Sequence, residues 1–314
     1  MTTSVDVVLV RGSQAASLAE RLRVEYPKVQ VVSAADLDVD PARITIVAGN
    51  VRDDELPVFS SLEWVHSWAA GVESEVGPRL RSSGIPITSS AGNGAVPLAE
   101  HAMMLALMLN RKAVRWIDSQ RDRRWERFVH SELAGQTMGI YGFGNVGREL
   151  ALRARAFGMR VIALRRRPDM DADLVDRMFG PDQLHSFAAA CDVLVVAAAL
   201  TPDSEGAIDS SVLVKLPDGA HVIVISRGNI VRDSDLLDAL RSGKVAAAGL
   251  DAHAVEPLPS DSPYWTLPGV IITPHNGATT AATATRGVEI FLDNLRRRSS
   301  NRPYRNRVDV SALA

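Results

Sequence analysis

The feature that most constrains the fold is a glycine-rich stretch between an apolar strand pattern and a helix pattern. Gly142, Gly144 and Gly147 form a G-x-G-x-x-G motif. An apolar run precedes the motif, an amphipathic segment follows it, and a second apolar run begins at Val161. This strand–turn–helix–strand order is typical of a parallel sheet that binds a dinucleotide. The competing interpretation is a glycine-rich turn that binds nothing.

Each glycine has a physical reason in a phosphate-binding turn. Gly142 permits a tight turn, Gly144 lets the backbone approach a pyrophosphate, and Gly147 lets the helix pack close to the strand. The free N–H groups at the start of the helix then face the phosphates. We therefore assign the whole turn to cofactor binding: Gly142, Phe143, Gly144, Asn145, Val146 and Gly147.

Strand and helix patterns alternate along the rest of the chain. A first set of strand patterns covers 5–10, 29–32, 44–48, 62–68 and 85–88. A second set covers 137–143, 160–164, 193–198, 222–226, 246–251 and 270–273. Long helix patterns at 95–116 and 281–297 join the two sets. The alternation predicts an α/β protein with two doubly wound parallel-sheet domains, of Rossmann or flavodoxin type, and a cleft between them.

Composition excludes several classes of protein. A hydrophobic fraction of 46% excludes disorder of the whole chain, and 35 basic against 37 acidic residues argue against a general nucleic-acid binder. Cys191 is the one cysteine, so we expect no intrachain disulfide and no metal site. Because no apolar run reaches membrane-spanning length and no signal-like segment opens the chain, we expect a soluble, cytoplasmic protein without a membrane partner.

Three arginines follow the second strand of the predicted dinucleotide-binding sheet. A carboxylate at this position would bind the ribose hydroxyls of NAD, but the sequence has Arg165, Arg166 and Arg167. A guanidinium cannot accept hydrogen bonds from hydroxyl groups, but it forms charge-assisted bonds with a 2′-phosphate. The sequence therefore favours NADP(H) over NAD(H). The competing interpretation is three solvated arginines in a chain whose basic residues are mostly arginine.

Three chemically capable residues follow three successive strand patterns. Arg227 directly follows the 222–226 strand, Glu256 follows the next strand, and His275 follows the last. A histidine can protonate a developing alkoxide near neutral pH, a carboxylate can orient its ring, and an arginine can bind a substrate carboxylate. Each residue alone is ambiguous. Together, at one edge of a sheet, they predict reduction of a keto acid by hydride transfer.

The chain resembles the D-isomer-specific 2-hydroxyacid dehydrogenase family over essentially its whole length. The matching pieces are Gly142–Gly147, Leu200-Thr-Pro202, Ser226-Arg-Gly228, Asp251 to Pro257 and Thr273-Pro-His275. The resemblance implies that His275 is the general acid/base, Glu256 its partner, and Arg227 the anchor for the substrate. Glu100-His101 lies outside these motifs, and we interpret this pair as interdomain packing or helix surface.

The resemblance also implies ligand contacts for other residues. Asp251 is expected to bind the nicotinamide carboxamide, and the backbone N–H groups of the Ala70-Gly71-Val72 turn are expected to bind the substrate carboxylate. The expected contacts on the nicotinamide side are Ala198, Ala199, Ser204, Ile225, Ser226 and Gly277.

Domain limits and assembly follow from the same resemblance. It implies a discontinuous substrate-binding domain, 1–97 with 287–314, around a dinucleotide-binding domain, 98–286. It also implies a homodimer in which the 111–128 segment lies at the contact.

The chain departs from the family pattern at three points. His253 stands where an apolar or aromatic residue is common, and we interpret it as structural. Ala199 replaces the proline of a P-L-T-P run, and Arg165 replaces a common acidic residue. None of these changes removes a catalytic group, and the last reinforces the preference for NADP(H).

The predicted function is NADPH-preferring reduction of a small 2-keto acid, with glyoxylate and hydroxypyruvate as leading candidates. A phosphite-type dehydrogenase and a dinucleotide-sensing, corepressor-like protein are the alternatives. Formate dehydrogenases lack the glutamate partner, so Glu256 argues against that branch. Phosphoglycerate dehydrogenases with an added regulatory domain are longer, and we expect no such domain here.

Overall fold

The structure is a computed structural model that describes residues 5–12, 14–33, 39–72, 75–168 and 172–312. The chain forms two compact units: the described residues of Met1–Gly94 and Thr280–Ala314 make the first, and Ala95–Thr279 make the second. The sequence prediction placed these limits three and seven residues later. One limit lies directly before the helix Ala95–Asn110 and the other directly before the helix Ala281–Ser299. Each helix therefore stays whole within one unit and buries its apolar face in the core of that unit.

The elements alternate between strand and helix, as the sequence pattern predicts. The described strands are β1 Val7–Val10, β2 Gln30–Ser33, β3 Ile46–Ala48, β4 Trp64–Ser67, β5 Ile87–Ser89, β6 Thr137–Tyr141, β7 Arg160–Leu164, β8 Arg177–Phe179, β9 Val193–Val196, β10 Ala220–Val224, β11 Val245–Leu250 and β12 Val270–Ile272. The described α-helices are α1 Ala15–Glu25, α2 Pro78–Ser82, α3 Ala95–Asn110, α4 Ala113–Arg121, α5 Asn145–Ala156, α6 Leu184–Ala188, α7 Ser210–Leu213, α8 Asp233–Arg241 and α9 Ala281–Ser299.

Each unit contains one parallel sheet. The first sheet has five strands in the order β2-β1-β3-β4-β5, and the second has seven in the order β12-β11-β10-β9-β6-β7-β8, counted over the described residues. The strand pairs of both sheets are parallel. The predicted fold class of two parallel-sheet α/β domains is thereby confirmed. Apolar runs without alternation fit such sheets, since helices cover both faces.

Helix α9 completes the core of the first unit. Trp64 on β4 is fully buried and stacks on Phe291 of α9, with 4.9 Å between the ring centroids. Tyr304, beyond the helix, stacks on Trp64 at 5.0 Å. Aromatic pairs at these distances stabilise a core beyond their buried area. The last helix therefore packs on the first sheet, whose strands lie more than 190 residues earlier in the sequence.

Helix α3 packs on the second sheet through a close contact with β11. A Cβ atom added to Gly249 of β11 would lie 3.1 Å from the Cβ atom of Leu105. The absence of a side chain on Gly249 lets α3 lie close to the strand. This contact fixes the face of α3 that carries Leu105.

The structure differs from the sequence prediction at two elements. The helix predicted over 95–116 is broken, because Lys112 has a left-handed φ of 53° and α4 begins after it. Strand β8 was not predicted, since it is short and begins with a charged residue. The guanidinium of Arg177 lies 4.2 Å from the centroid of the Phe179 ring, which covers part of this edge strand.

Two further observations concern partners. Among the described residues, no helix combines the length and apolar character needed to cross a bilayer. Within the same residues, no group of three or more His, Cys, Asp or Glu side chains is arranged to hold a metal ion.

A buried histidine makes the stability of the first unit depend on pH. His66 on β4 is fully buried between hydroxyl groups, with Nδ1 2.8 Å from Thr88 Oγ1 and Nε2 3.1 Å from Ser90 Oγ. Burial lowers its pKa from 6.5 to about 3, so the folded state keeps the ring neutral while the unfolded chain binds a proton. The stability that depends on neutral His66 is complete above the unfolded value and is lost as the pH falls toward the folded value.

We predict that His66→Gln flattens the acid side of the stability profile. Between pH 6.5 and about 3, the free energy of unfolding of the wild type should fall by up to about 1.4 kcal/mol per pH unit more steeply than that of the variant. Denaturant unfolding at a series of pH values measures both slopes. The control is His185→Gln, at an exposed histidine, which should keep the wild-type slope. Equal slopes for His66→Gln and the wild type would contradict the prediction.

Candidate active site

The glycine turn lies at the carboxyl end of β6, directly before α5. Gly142 has a φ of 98°, and a Cβ atom there would lie 2.3 Å from the Cα atom of Ala198. At Gly147, an added Cβ would lie 3.0 Å from the carbonyl oxygen of Gly142, so the start of the helix packs tightly on the turn. Both glycines are therefore required by the protein itself.

Gly144 has a different environment. Its φ is −101°, and no atom of the described residues, its own chain neighbours aside, lies within 4 Å of an added Cβ. Neither backbone conformation nor protein packing requires glycine there. The open space lies at the N-terminus of α5, whose first N–H groups favour an anion. This turn therefore fits the pyrophosphate of a dinucleotide, which can occupy the space that a side chain would fill.

Arg165 lies beside the glycine turn because of strand register. Tyr141 of β6 pairs with Leu164 of β7, and the N–H of Gly142 donates to the Leu164 carbonyl oxygen at 2.9 Å. The next residue, Arg165, follows the same strand end, and Arg166 and Arg167 are exposed after it. The register thus places Arg165 beside the glycine turn, and Arg166 and Arg167 follow it in sequence.

The 198–204 loop supports the turn from the neighbouring strand, β9. Ala198 is the residue against which Gly142 packs. Ser204 is only 6% exposed, and its hydroxyl donates to the Ala199 carbonyl oxygen at 2.8 Å and accepts from the Thr201 N–H at 2.8 Å. Ser204 therefore stabilises the loop from within, while its predicted cofactor contact stays a prediction.

His275 and Glu256 form a hydrogen-bonded pair after β12 and β11. The Nδ1 atom of His275 lies 2.9 Å from Oε1 and 2.8 Å from Oε2 of Glu256. A carboxylate only accepts hydrogen bonds, so Nδ1 carries a proton and donates it. This leaves Nε2, on the other side of the ring, to exchange a proton with a ligand. The side chains are 37% and 38% exposed, so the pair is accessible.

Glu256 remains ionised because two donors outweigh its burial. Partial burial raises its pKa, but the N–H of His253, at 2.9 Å, and the imidazole of His275 lower it, and the net pKa is lowered. His253 also places its Nε2 atom 3.2 Å from the Thr273 carbonyl oxygen. Its contacts connect the loop of Glu256 to the loop of His275, which fits the structural role predicted for it.

Arg227 follows β10 in a turn packed against the loop of Glu256. A Cβ atom at Gly228 would lie 2.0 Å from the carbonyl carbon of His253, so only glycine allows this approach. The Nη1 atom of Arg227 donates to the Ser226 carbonyl oxygen at 2.9 Å. Ser226 in turn donates its hydroxyl to the Val196 carbonyl oxygen at 3.2 Å, and Ile225 is 2% exposed. The three predicted catalytic residues thus come from loops at one sheet edge.

Asp251 holds the turn that carries His275. It is fully buried and accepts hydrogen bonds from the Thr273 hydroxyl at 2.6 Å and from the N–H groups of Asn276 and Gly277 at 3.1 Å each. In the structure, Asp251 bonds to Thr273, Asn276 and Gly277, and the N–H of Gly277 donates to Asp251. Their predicted contacts with a cofactor stay predictions.

His101 is a site residue that the sequence analysis missed. Its Nε2 atom lies 2.9 Å from Thr273 Oγ1 and 3.5 Å from Asp251 Oδ1, and its side chain is 13% exposed. The interpretation as helix surface was therefore wrong for His101, because its ring bonds to the loop before His275. The alternative of interdomain packing stays a prediction. The two partners lie 172 residues apart in sequence, so no local pattern could indicate the contact.

The Ala70-Gly71-Val72 turn lies after β4 in the first unit. Ala70 is exposed and Val72 is 4% exposed. The preceding residue, Ala69, accepts a hydrogen bond from the N–H of Ser90 at 3.0 Å. The predicted binding of a substrate carboxylate by this turn stays a prediction.

Comparison with known proteins matches residues 103–277 to the model of the NAD-binding domain of D-isomer-specific 2-hydroxyacid dehydrogenases. The chain is 32% identical to the hydroxypyruvate reductase of Thermotoga maritima over 252 residues, which are 77% of this chain and 80% of that protein. It is also 32% identical to the D-3-phosphoglycerate dehydrogenase of Archaeoglobus fulgidus over 238 residues, 73% of this chain and 44% of that protein. The chain thus spans about half the length of the phosphoglycerate dehydrogenases it matches.

Solved structures show the same similarity over nearly the whole chain. A family protein from Aeromonas salmonicida has a TM-score of 0.88 at 27% identity and covers 98% of this chain and 100% of its own. A D-isomer-specific 2-hydroxyacid dehydrogenase from Xanthobacter autotrophicus, solved in complex with NADPH and MES, has a TM-score of 0.85 at 28% identity, with 99% and 100% covered.

We predict that replacing two glycines of the turn with alanine affects different properties, dinucleotide affinity at Gly144 and stability at Gly142. Gly144→Ala should fold as well as the wild type but raise the Kd for dinucleotide about tenfold or more, because the Cβ enters the open space. Gly142→Ala should lower the free energy of unfolding by about 2 kcal/mol or more, from strain and a backbone clash. Calorimetric titration and denaturant unfolding measure the two effects.

The control is Gly180→Ala, at a glycine with a φ of −87° and open space around an added Cβ, outside the turn. It should change neither quantity. Unchanged dinucleotide binding by Gly144→Ala would support the interpretation that the turn binds nothing.

Proposed function

The chain belongs to the D-isomer-specific 2-hydroxyacid dehydrogenase family, and on that premise we propose that it reduces a small 2-keto acid to the D-2-hydroxy acid. The observation that carries the proposal is the His275–Glu256 pair, with both carboxylate oxygens within 2.9 Å of Nδ1. It gives a histidine with a defined tautomer and an ionised partner at the carboxyl edge of a sheet that matches the family's NAD-binding domain.

Proton transfer is the task proposed for this pair. A bound nicotinamide supplies the hydride that the carbonyl carbon accepts. In the reduction, His275 starts as the imidazolium, stabilised by Glu256, and donates the Nε2 proton to the carbonyl oxygen. The ring ends neutral with its Nδ1 proton still directed to Glu256. In the oxidation, neutral Nε2 accepts the hydroxyl proton, and Glu256 stabilises the charge that forms.

Arg227 is proposed to bind the substrate carboxylate. Its guanidinium offers parallel donors that match a carboxylate, which a lysine cannot do. Its turn packs against the backbone that leads to Glu256, which supports a fixed distance between anion binding and proton transfer. The Ala70–Val72 backbone is proposed as a further carboxylate contact.

For the cofactor we propose NADP(H) in preference to NAD(H). The support is the position of Arg165 beside Gly142 and the exposure of Arg166 and Arg167 after it. Guanidinium groups at this strand end suit a 2′-phosphate and cannot accept hydrogen bonds from a ribose diol. The NADPH in the similar Xanthobacter structure also supports this choice.

For the substrate we propose hydroxypyruvate or glyoxylate. The similarity to the hydroxypyruvate reductase of Thermotoga maritima supports hydroxypyruvate, because 80% of that protein is covered. A second candidate is the 3-phosphoglycerate couple, favoured by the similarity to phosphoglycerate dehydrogenases, of which only about half is covered. Phosphite oxidation and a dinucleotide-sensing role remain the alternatives to test.

The proposed assembly is a homodimer. Large apolar side chains are exposed around the 111–128 segment, with Trp125 at 96% and Ile117 at 42%. Just beyond it, Val129 is 92% exposed. Exposed apolar groups that cluster in one segment are typical of a protein contact.

The first test of the function is turnover. We expect the wild type to oxidise NADPH with hydroxypyruvate or glyoxylate, and His275→Ala to lower kcat by about 100-fold or more through loss of the proton donor. The Kd for NADPH should stay within about twofold, since the change affects a transition-state interaction. Absorbance at the nicotinamide band and calorimetric titration measure the two quantities.

The control variant is His185→Ala, at an exposed histidine of α6, which should keep wild-type turnover. The substrate panel includes 3-phosphohydroxypyruvate and, in the oxidative direction, phosphite. Tight NADPH binding without turnover of any of these compounds would overturn the enzyme proposal and favour the sensor. Unchanged kcat in His275→Ala would remove that residue from the mechanism.

The second test concerns the cofactor. Replacing Arg165 and Arg166 together with glutamine should raise the Kd for NADPH by about 10- to 100-fold, because charge-assisted bonds to the 2′-phosphate are lost. The Kd for NADH should change by about twofold or less. Arg160→Gln is the matched control, since this exposed arginine begins the same strand at the opposite sheet edge. An equal rise in the Kd for NADPH and for NADH would contradict a role in 2′-phosphate binding. It would favour the interpretation of these arginines as solvated surface residues.

A further inference from the structure

We propose that His101 is a positioning residue for His275, acting through Thr273 and Asp251. This inference rests on the proposed function, because it assigns His275 to proton transfer. The chain of contacts runs from the ring of His101 to the Thr273 hydroxyl, then to the Asp251 carboxylate, and from there to the backbone after His275. His101 touches neither substrate nor cofactor in this scheme.

The directions of the hydrogen bonds follow from the donor count. The Thr273 hydroxyl has one proton, and it donates that proton to Asp251 Oδ1 at 2.6 Å because a carboxylate cannot donate. Thr273 Oγ1 therefore accepts from His101, whose Nε2 lies 2.9 Å away. His101 thus carries a proton on Nε2. The bond keeps the hydroxyl proton directed at Asp251.

The Asp251 carboxylate needs this support because it is fully buried. An unpaired buried charge is costly unless hydrogen bonds satisfy it. Its donors are the Thr273 hydroxyl and the N–H groups of Asn276 and Gly277. Among the described residues, His101 is the ionisable partner recorded within 4.0 Å of it, at 3.5 Å.

Asp251 in turn holds a strained turn. His275 has a φ of 51°, a left-handed conformation that is strained for a non-glycine residue. Such a conformation persists only when its surroundings hold it. The two N–H groups bonded to Asp251 belong to the next two residues, so the carboxylate fixes the chain directly after the strained position.

His101 also contacts the end of this turn through its ring. A Cβ atom at Gly277 would lie 3.0 Å from Cγ of His101 and 2.8 Å from Oδ2 of Asp251. Gly277 therefore packs against both. The ring fills the space above this glycine, while Nε2 makes the bond to Thr273.

Helix α3 gives His101 a fixed position. Leu105 lies one helical turn after His101, on the same face, and is fully buried. The close contact of Leu105 with Gly249 fixes this face against β11, the strand that ends directly before Asp251. The scaffold therefore holds both ends of the His101–Thr273–Asp251 connection.

Two variants separate the hydrogen bond from the ring volume. His101→Phe keeps a ring against Gly277 but has no N–H donor, whereas His101→Gln keeps a donor close to the position of Nε2. We expect His101→Phe to lower kcat about tenfold while the KM for the keto acid stays within about twofold. His101→Gln should retain about half of the wild-type kcat or more.

Hydrogen exchange gives a readout that needs no turnover. The amide protons of Asn276 and Gly277 donate to Asp251, so loosening that carboxylate should accelerate their exchange. In His101→Phe they should exchange about tenfold faster than in the wild type, while the amides of β10 stay unchanged. In His101→Gln they should stay within about twofold of the wild type.

Thr273→Val tests the order of the connection. It should lower kcat at least as far as His101→Phe, because Asp251 also loses a donor. His101→Phe combined with Thr273→Val should lower kcat no further than Thr273→Val alone, to within about twofold, since both changes break one path. Additive losses in kcat would contradict this order and overturn the proposal.

The exchange data separate this inference from the proposed function. If the wild type reduces no keto acid but His101→Phe accelerates exchange at Asn276 and Gly277, the proposed function fails while the positioning contact stands. Unchanged exchange in His101→Phe would overturn the inference whatever the activity. Equal acceleration in His101→Phe and His101→Gln would show that a retained N–H donor does not protect these amides, and it would also overturn the inference.

Discussion

The parallel direction of the strands in the second sheet determines where its chemistry can gather. Because all of its described strands run in one direction, their carboxyl ends lie at one edge. The glycine turn leaves that edge after β6, Arg165 after β7, Arg227 after β10, Glu256 after β11 and His275 after β12. Residues more than 100 positions apart in sequence therefore lie along a single edge.

Contacts between the loops then set the geometry within that edge. Gly142 packs against Ala198, and Gly228 packs against the backbone of His253. Both approaches are closer than any side chain allows, so neighbouring loops are in direct backbone contact. The motif that predicts a phosphate site thus also lets the turn pack closely on its neighbours, through Gly142 and Gly147. Among its three glycines, Gly144 alone is not required by packing.

Local patterns were enough to predict the fold class and the sheet edge at which Arg227, Glu256 and His275 lie; their roles stay predictions. Apolar runs located the long strands, and the order of motifs along the chain brought Arg227, Glu256 and His275 to one edge. Prediction failed at two elements: the helix breaks at Lys112, and the short strand β8 carries no apolar run.

The same limit explains the missed contact of His101. On a helix, a histidine among alanines and leucines is typical of packing, and its bond partner, Thr273, lies 172 residues away. The sequence of α3 predicts which face of the helix is buried, but it does not predict which residues that face contacts. A distant hydroxyl group thus turns an ordinary helix residue into part of a site.

The return of α9 to the first unit has a consequence for the order of folding during synthesis. Domains generally fold as units while the chain emerges from the ribosome. The core around Trp64 is incomplete until Phe291 and its neighbours on α9 have been made, whereas the second unit is complete at Thr279. The unit that begins first is therefore completed last. Until α9 has been made, its five-stranded sheet stays partly uncovered while the later unit is synthesised and folds.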